Sequence, residues 1–183
     1  MDVDAVMIAG PRVSLRDFRP DDLEAVAAYA SDPAVTAYLV WRPHASRQDT
    51  ENWLKATVEQ AATDPRRHFE LAVVENRSGA LIGGARVTVR NRDHRVGDLG
   101  YVLRRSVWGQ GFGTEVARLL VQLGFSRLAL HRIEATCDPD NTASRRVLEN
   151  VGMQREGYAR ENFWVRGTWR DSLLFAILEQ EWP

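Results

Sequence analysis

Residues 97–114 constrain this chain more than any other stretch. An apolar, strand-like run (Leu99 to Leu103) breaks off. After a short polar bridge, Gly109, Gly111 and Gly113 fall at alternate positions in Trp108-Gly109-Gln110-Gly111-Phe112-Gly113-Thr114, just before a helix-patterned segment. Glycine lacks a Cβ, so the backbone there can take positive φ and approach a ligand closely. The first turn of the helix leaves its N–H groups without internal partners, at the positive end of the helix dipole. Strand, loop and helix together predict a βα unit that seats a phosphate or pyrophosphate.

The rest of the chain builds a sheet around that unit. Arg12 to Phe18 alternates like a strand, and a helix starts at Arg19-Pro20-Asp21-Asp22 with Leu23, Val26, Ala27 and Ala30 on its apolar face. A second helix is predicted from Arg47 to about Ala62, ended by Asp64-Pro65. Phe69 to Glu75 and Leu81 to Arg90 read as strands joined by the turn Asn76-Arg77-Ser78-Gly79, with Asp98 to Leu103 as the next strand of a meander. A helix from Gly113 to Arg127, with Val116, Leu119, Leu120 and Leu123 on one face, leads to a strand from His131 to Cys137. A short helix, Thr142 to Asn150, and two strands, Glu156 to Trp164 and Trp169 to Leu178, close the chain. The expected architecture is one mixed α/β domain over residues 1–183, with helices on both faces of a mostly antiparallel sheet of about six or seven strands. By base rate, Trp41, Trp53, Phe69, Phe163, Trp164 and Trp169 belong mostly to the core, and so does Tyr158.

Charge and composition remove several function classes. With a net charge of −1, the chain lacks the basic excess that sequence-independent nucleic-acid binding needs. No apolar run approaches the roughly 20 residues of a membrane span, and the acidic opening Met1-Asp2-Val3-Asp4 is unlike a secretory leader. Cys137 is the one cysteine, and His44, His68, His94 and His131 are scattered without ligand spacing. The reading is a cytoplasmic protein without a metal site or a membrane partner. A homodimer is left open.

Among phosphate loops, a Walker A motif fails because Thr114 and Glu115 follow the last glycine with no lysine. A dinucleotide fingerprint fits poorly, because Arg104 to Trp108 separates strand from glycine and position 114 is threonine. The chain instead resembles the GNAT (GCN5-related N-acetyltransferase) superfamily, in particular its RimJ/RimL-like branch, which acetylates ribosomal-protein N-termini. The resemblance rests on Trp108 to Glu115, Arg132-Ile133-Glu134-Ala135, Asp138 to Ser144, Val151 to Gly157 and Gly167 to Ser172, in order along nearly the whole chain.

The resemblance implies acetyl-coenzyme A as donor and an amine as acceptor, with direct transfer in a ternary complex. Backbone amides of Trp108, Gly109, Gln110, Gly111, Phe112, Gly113 and Thr114 would hold the pyrophosphate. The strand Tyr101, Val102 and Leu103 would pair with the pantetheine arm beside a splayed gap, Asn141 would bind that arm, and Ser144 would lie near the sulfur. A protein N-terminus is the favoured acceptor; a small-molecule amine, or a non-catalytic acyl-CoA-binding module, is the alternative.

The chemistry needs a neutral amine, oxyanion support and a proton for the thiolate. An α-amine titrates near 8, so about a tenth is neutral at pH 7, while lysine near 10.4 is almost wholly charged. Candidate bases are Glu134, Glu70 and Glu161, with Glu134 preferred. Ser144 or Tyr158 would protonate the sulfur, and a backbone N–H near Val102 or Leu103 would meet the oxyanion. Asn141 is also a natural helix cap. Arg86, Arg90, Arg92, Arg95, Arg104 and Arg105 would either draw in phosphates or form a solvated face.

Overall fold

The computed structural model describes residues 7–182; the acidic opening segment, residues 1–6, lies outside them. Strands β1 (Met7–Ala9) and β2 (Val13–Asp17) form a hairpin, and β2 leads into α1 (Leu23–Ala30) and the short α2 (Pro33–Thr36). Helix α3 (Arg47–Ala61) starts at a capping box: Asp49 N–H donates to Ser46 Oγ at 3.2 Å, and Ser46 N–H donates to Asp49 Oδ2 at 3.0 Å. Strands β3 (His68–Glu75), β4 (Leu81–Asn91) and β5 (Val96–Leu103) make the expected meander. The glycine loop opens α4 (Phe112–Ser126), followed by β6 (Arg132–Cys137), α5 (Thr142–Asn150), β7 (Gln154–Val165) and β8 (Thr168–Leu178).

All strands join one eight-stranded sheet in the order β1-β2-β3-β4-β5-β6-β8-β7. The strand absent from the sequence reading is β1, three residues with too short a pattern to register. Every pairing is antiparallel except β5 with β6, and that pair is brief: Val96, Gly97 and Asp98 align with Arg132, Ile133 and Glu134, after which the strands part. The cause is the βαβ crossover, since α4 carries the chain back to the start of β5.

Helix α4 buries Val116, Leu119, Leu120 and Leu123 against one face of the sheet. The other face is covered by α1 and α3 through Val26, Tyr29 and Leu54 against Phe18, Ala72 and Leu81. Among the described residues no helix is long and apolar enough to cross a membrane. The tail corrects one expectation. Phe69 is buried, but Trp164 and Trp169 are 60% and 54% exposed, and Phe163 and Tyr158 are exposed too. At the far end of the β7–β8 hairpin the two tryptophans meet edge-on at 5.2 Å. Arg166 ties that end to the body by donating to Thr36 O at 2.7 Å and Trp41 O at 3.0 Å.

Candidate active site

The glycine loop takes the shape its sequence requires. Gly109 and Gly111 sit at φ +74° and +81°, the left-handed region, and Gly111 is the N-cap of α4 with no side chain capping it. Among the described residues, no protein acceptor takes a hydrogen bond from the main-chain N–H groups of Gly109 through Thr114. Six donors are therefore left unpaired at and just before a helix N-terminus, which fits the diphosphate of a coenzyme.

Next to the loop, the strand splay leaves a second set of free main-chain groups. Arg104 N–H donates to Ile82 O at 2.8 Å, so Arg104 points its N–H at β4. Strand alternation sends the N–H of Val102 the same way and turns those of Tyr101 and Leu103 toward the opening beside β6. Of the two N–H groups expected to face the opening, that of Leu103 does so and that of Val102 does not. Trp108 donates its indole N–H to Leu103 O at 2.8 Å, so this exposed ring anchors the loop to β5.

Two cavities meet at the splay. One, of about 550 Å³, runs from the glycine loop along Tyr101, Val102 and Leu103 to Cys137, Asn141 and Ser144. The other, of about 420 Å³, lies on the α1/α3 face and is walled by Tyr29, Trp41, His44 and Trp53, with Glu70, Arg42 and Arg86 as its charged groups. Tyr38, Leu39, Tyr101 and Val102 line both. The arrangement suits a coenzyme on one side and an acceptor on the other, meeting at β5.

Within the first cavity, Asn141 Oδ1 accepts from Ser144 N–H at 3.0 Å, the cap predicted for α5, which leaves its amide N–H groups for a ligand. The Ser144 hydroxyl adjoins the phenol of Tyr101. Burial pushes that phenol up to about 12, so it stays protonated and can donate. The Tyr101 ring packs over Gly113, whose absent Cβ would sit 3.4 Å from it. Burial also pushes the Cys137 thiol up to about 11, which suits a packing residue more than a nucleophile.

Three of the proposed acid–base residues lie elsewhere. Glu134 accepts from Arg132 Nε at 2.9 Å and lines neither cavity. Tyr158 is exposed on β7 and donates to Asp171, and Glu161 sits at an exposed bulge. Glu70 does line the aromatic-walled cavity. Burial raises its carboxyl to about 7, against a smaller lowering by Arg86, its cross-strand neighbour. Of the arginines, Arg86 and Arg90 both hold the buried Asp98, at 2.8 and 2.7 Å, and Arg95 pairs with Glu179 at 2.9 Å. None of the six lines the coenzyme-side cavity, whereas Arg146 does. The sequence reading missed the Tyr101 side chain. Tyr101 was visible as a lone aromatic beside glycines, but its contact with Ser144 crosses elements.

A family model described as an acetyltransferase (GNAT) domain matches residues 12–154. The chain belongs to the GNAT acetyltransferases. YnaD of Bacillus subtilis, an uncharacterised N-acetyltransferase, is 32% identical over 175 residues, 96% of this chain and 98% of that one. A GNAT-family acetyltransferase structure from Bacillus anthracis superposes with a TM-score of 0.85 at 31% identity, covering 96% of this chain and 100% of the other. The Escherichia coli [ribosomal protein uS5]-alanine N-acetyltransferase is 31% identical over 84 residues, 46% of this chain and 43% of that one. GNAT membership implies acetyl-CoA and an amine acceptor.

Proposed function

We propose that this GNAT enzyme acetylates the α-amine of a protein N-terminus by direct transfer from acetyl-CoA. The supporting observation is the junction at β5, where unpaired loop donors and a splayed strand adjoin an aromatic-walled cavity holding one carboxylate of raised pKa. Gly109 to Thr114 hold the diphosphate. Tyr101 and Leu103 pair with the pantetheine and offer an N–H to the oxyanion, and Asn141 binds the arm through its amide. Glu70, acting through water, takes the proton of the attacking amine. Its raised pKa matches an α-amine near 8 better than an ordinary carboxylate would. Ser144, backed by the Tyr101 phenol, returns a proton to the departing thiolate. At neutral pH an α-amine reaches its neutral form far more often than lysine, so a single modest base suffices.

Acceptor charge favours a peptide end over a polyamine. The cavity sets Glu70 against Arg42 and Arg86, which gives no excess of negative charge to collect a polycation. The partial relative that names a ribosomal-protein alanine as its acceptor points the same way. Release of free thiol from acetyl-CoA, measured against N-terminal peptides of ribosomal proteins, spermidine, aminoglycosides and free amino acids, tests the reading. Turnover confined to polyamines or aminoglycosides would replace the acceptor. Tight coenzyme binding with no thiol release across the panel would make the chain a binding module.

A further inference from the structure

A phosphate loop must be held in shape without spending its own donors. Here no side chain caps α4, a Cβ on Gly109 would meet nothing within 4 Å, and the sole neighbour of one on Gly111 would be Arg12 Nη2 at 3.4 Å. Two left-handed glycines in a row of three carry a large conformational entropy, so something else must fix them. Arg12, just before β2 and 98 residues before Gln110, touches the loop at several points. Its Nη1 donates to Gln110 O at 2.9 Å, its Nε donates to Glu115 Oε2 at 2.9 Å, and its guanidinium carbon lies 4.6 Å from the Phe112 ring centre. The main-chain N–H groups of Arg12 and Val13 donate to Glu115 Oε1 at 2.6 and 3.0 Å. Every one of these contacts uses a loop acceptor, a ring or a carboxylate, and leaves the loop N–H groups free.

Glu115 gives the arrangement a second purpose. A carboxylate in the first turn of α4 would compete with a bound anion for the helix dipole. Here it turns away toward the β1–β2 turn, where Gly10 makes room: a Cβ there would lie 3.0 Å from Glu115 Oε1. Burial would raise its pKa, but hydrogen bonds from Arg12 and Val13 outweigh that and keep it ionised and occupied. The far side of the turn is fixed as well, since Asn76 N–H donates to Arg12 O and Asn76 Nδ2 to Gly10 O, each at 2.8 Å.

We infer that Arg12, acting with Glu115, is a positioning residue for the coenzyme: it clamps the loop Gln110–Phe112 so that its free N–H groups converge on the diphosphate. The inference rests on the reading of this loop as the coenzyme seat. Calorimetric affinities for CoA and for pantetheine, which carries no phosphate, separate the two. For wild type, CoA binds. Arg12→Ala should weaken CoA roughly 10- to 100-fold, the range of a lost charge-assisted contact or two, while pantetheine stays within about twofold. Arg12→Lys should remain weak, because an ammonium keeps the charge but cannot span Gln110 and Glu115 with one planar fork. Glu115→Gln should reproduce part of the CoA loss, and serves if Arg12→Ala melts below the assay temperature. Unchanged CoA affinity in Arg12→Ala, equal weakening of both ligands, or full recovery in Arg12→Lys overturns the clamp alone. A wild-type protein that binds no CoA overturns the coenzyme reading and the clamp with it.

Discussion

Glu70 owes its proposed role to its neighbours, and that makes it testable by pH. Its carboxyl holds a proton up to about 7 when folded, against 4.5 for the exposed group. A base must be ionised, so turnover should rise as pH climbs through about 7. Glu70→Gln should flatten that limb and cut kcat by ~100-fold or more, the typical contribution of a general base. A limb near 7 that survives in Glu70→Gln, distinct from the one the α-amine itself gives near 8, would take this carboxylate out of the mechanism. Stability moves the other way. Between 4.5 and about 7 the folded chain binds more protons than the unfolded one, so stability falls as pH rises across that window. Glu70→Gln should therefore melt above wild type at pH 8 and alongside it at pH 4. At Ser144, the hydroxyl is expected to act on the leaving thiolate. Ser144→Ala should lower kcat by ~10- to 100-fold with CoA affinity nearly unchanged, and an unaltered turnover number would assign the proton to another donor.

Among elements, the loop and α4 were the most legible. The glycines at alternate positions called for positive φ, and two of the three have it. Gly111→Glu would put a Cβ at φ +81° and a negative charge into the anion seat. CoA binding should disappear by calorimetry while circular dichroism stays native. Deeper in α4, Gly124 was silent in the sequence. A Cβ there would lie 2.5 Å from Ile133 Cδ1, so this glycine sets how closely the helix sits on β6. Gly124→Val should destabilise the fold by about 1–3 kcal/mol in urea unfolding, the cost of overpacking a filled core. The β7–β8 hairpin shows where composition misleads. Trp164 and Trp169 have core-like side chains, yet they stand at 60% and 54% exposure, packed on each other and on neither buried cluster. Burial is a property of what packs on top, and a single strand does not carry that information.

For the molecule as a whole, the two cavities sharing β5 predict that ligands stabilise the fold through linkage. CoA at 100 times its Kd should add ~2.7 kcal/mol, a rise of several degrees in Tm by scanning calorimetry. No shift at saturating coenzyme would contradict the seat at Gly109–Thr114. Local pattern was enough to specify most of this protein: the order of most strands and helices, the left-handed glycines of the loop, the cap at Asn141, and the amphipathic face of α4. Those features depend on residues near one another in the chain, through backbone freedom, dipole and periodicity. Tertiary structure alone decided which carboxylate enters the aromatic-walled cavity, that Tyr101 meets Ser144, and that Arg12 reaches a loop 98 residues away. Each of those depends on which strands become neighbours and where β5 and β6 part, and that is set by the packing of the whole sheet between its helices.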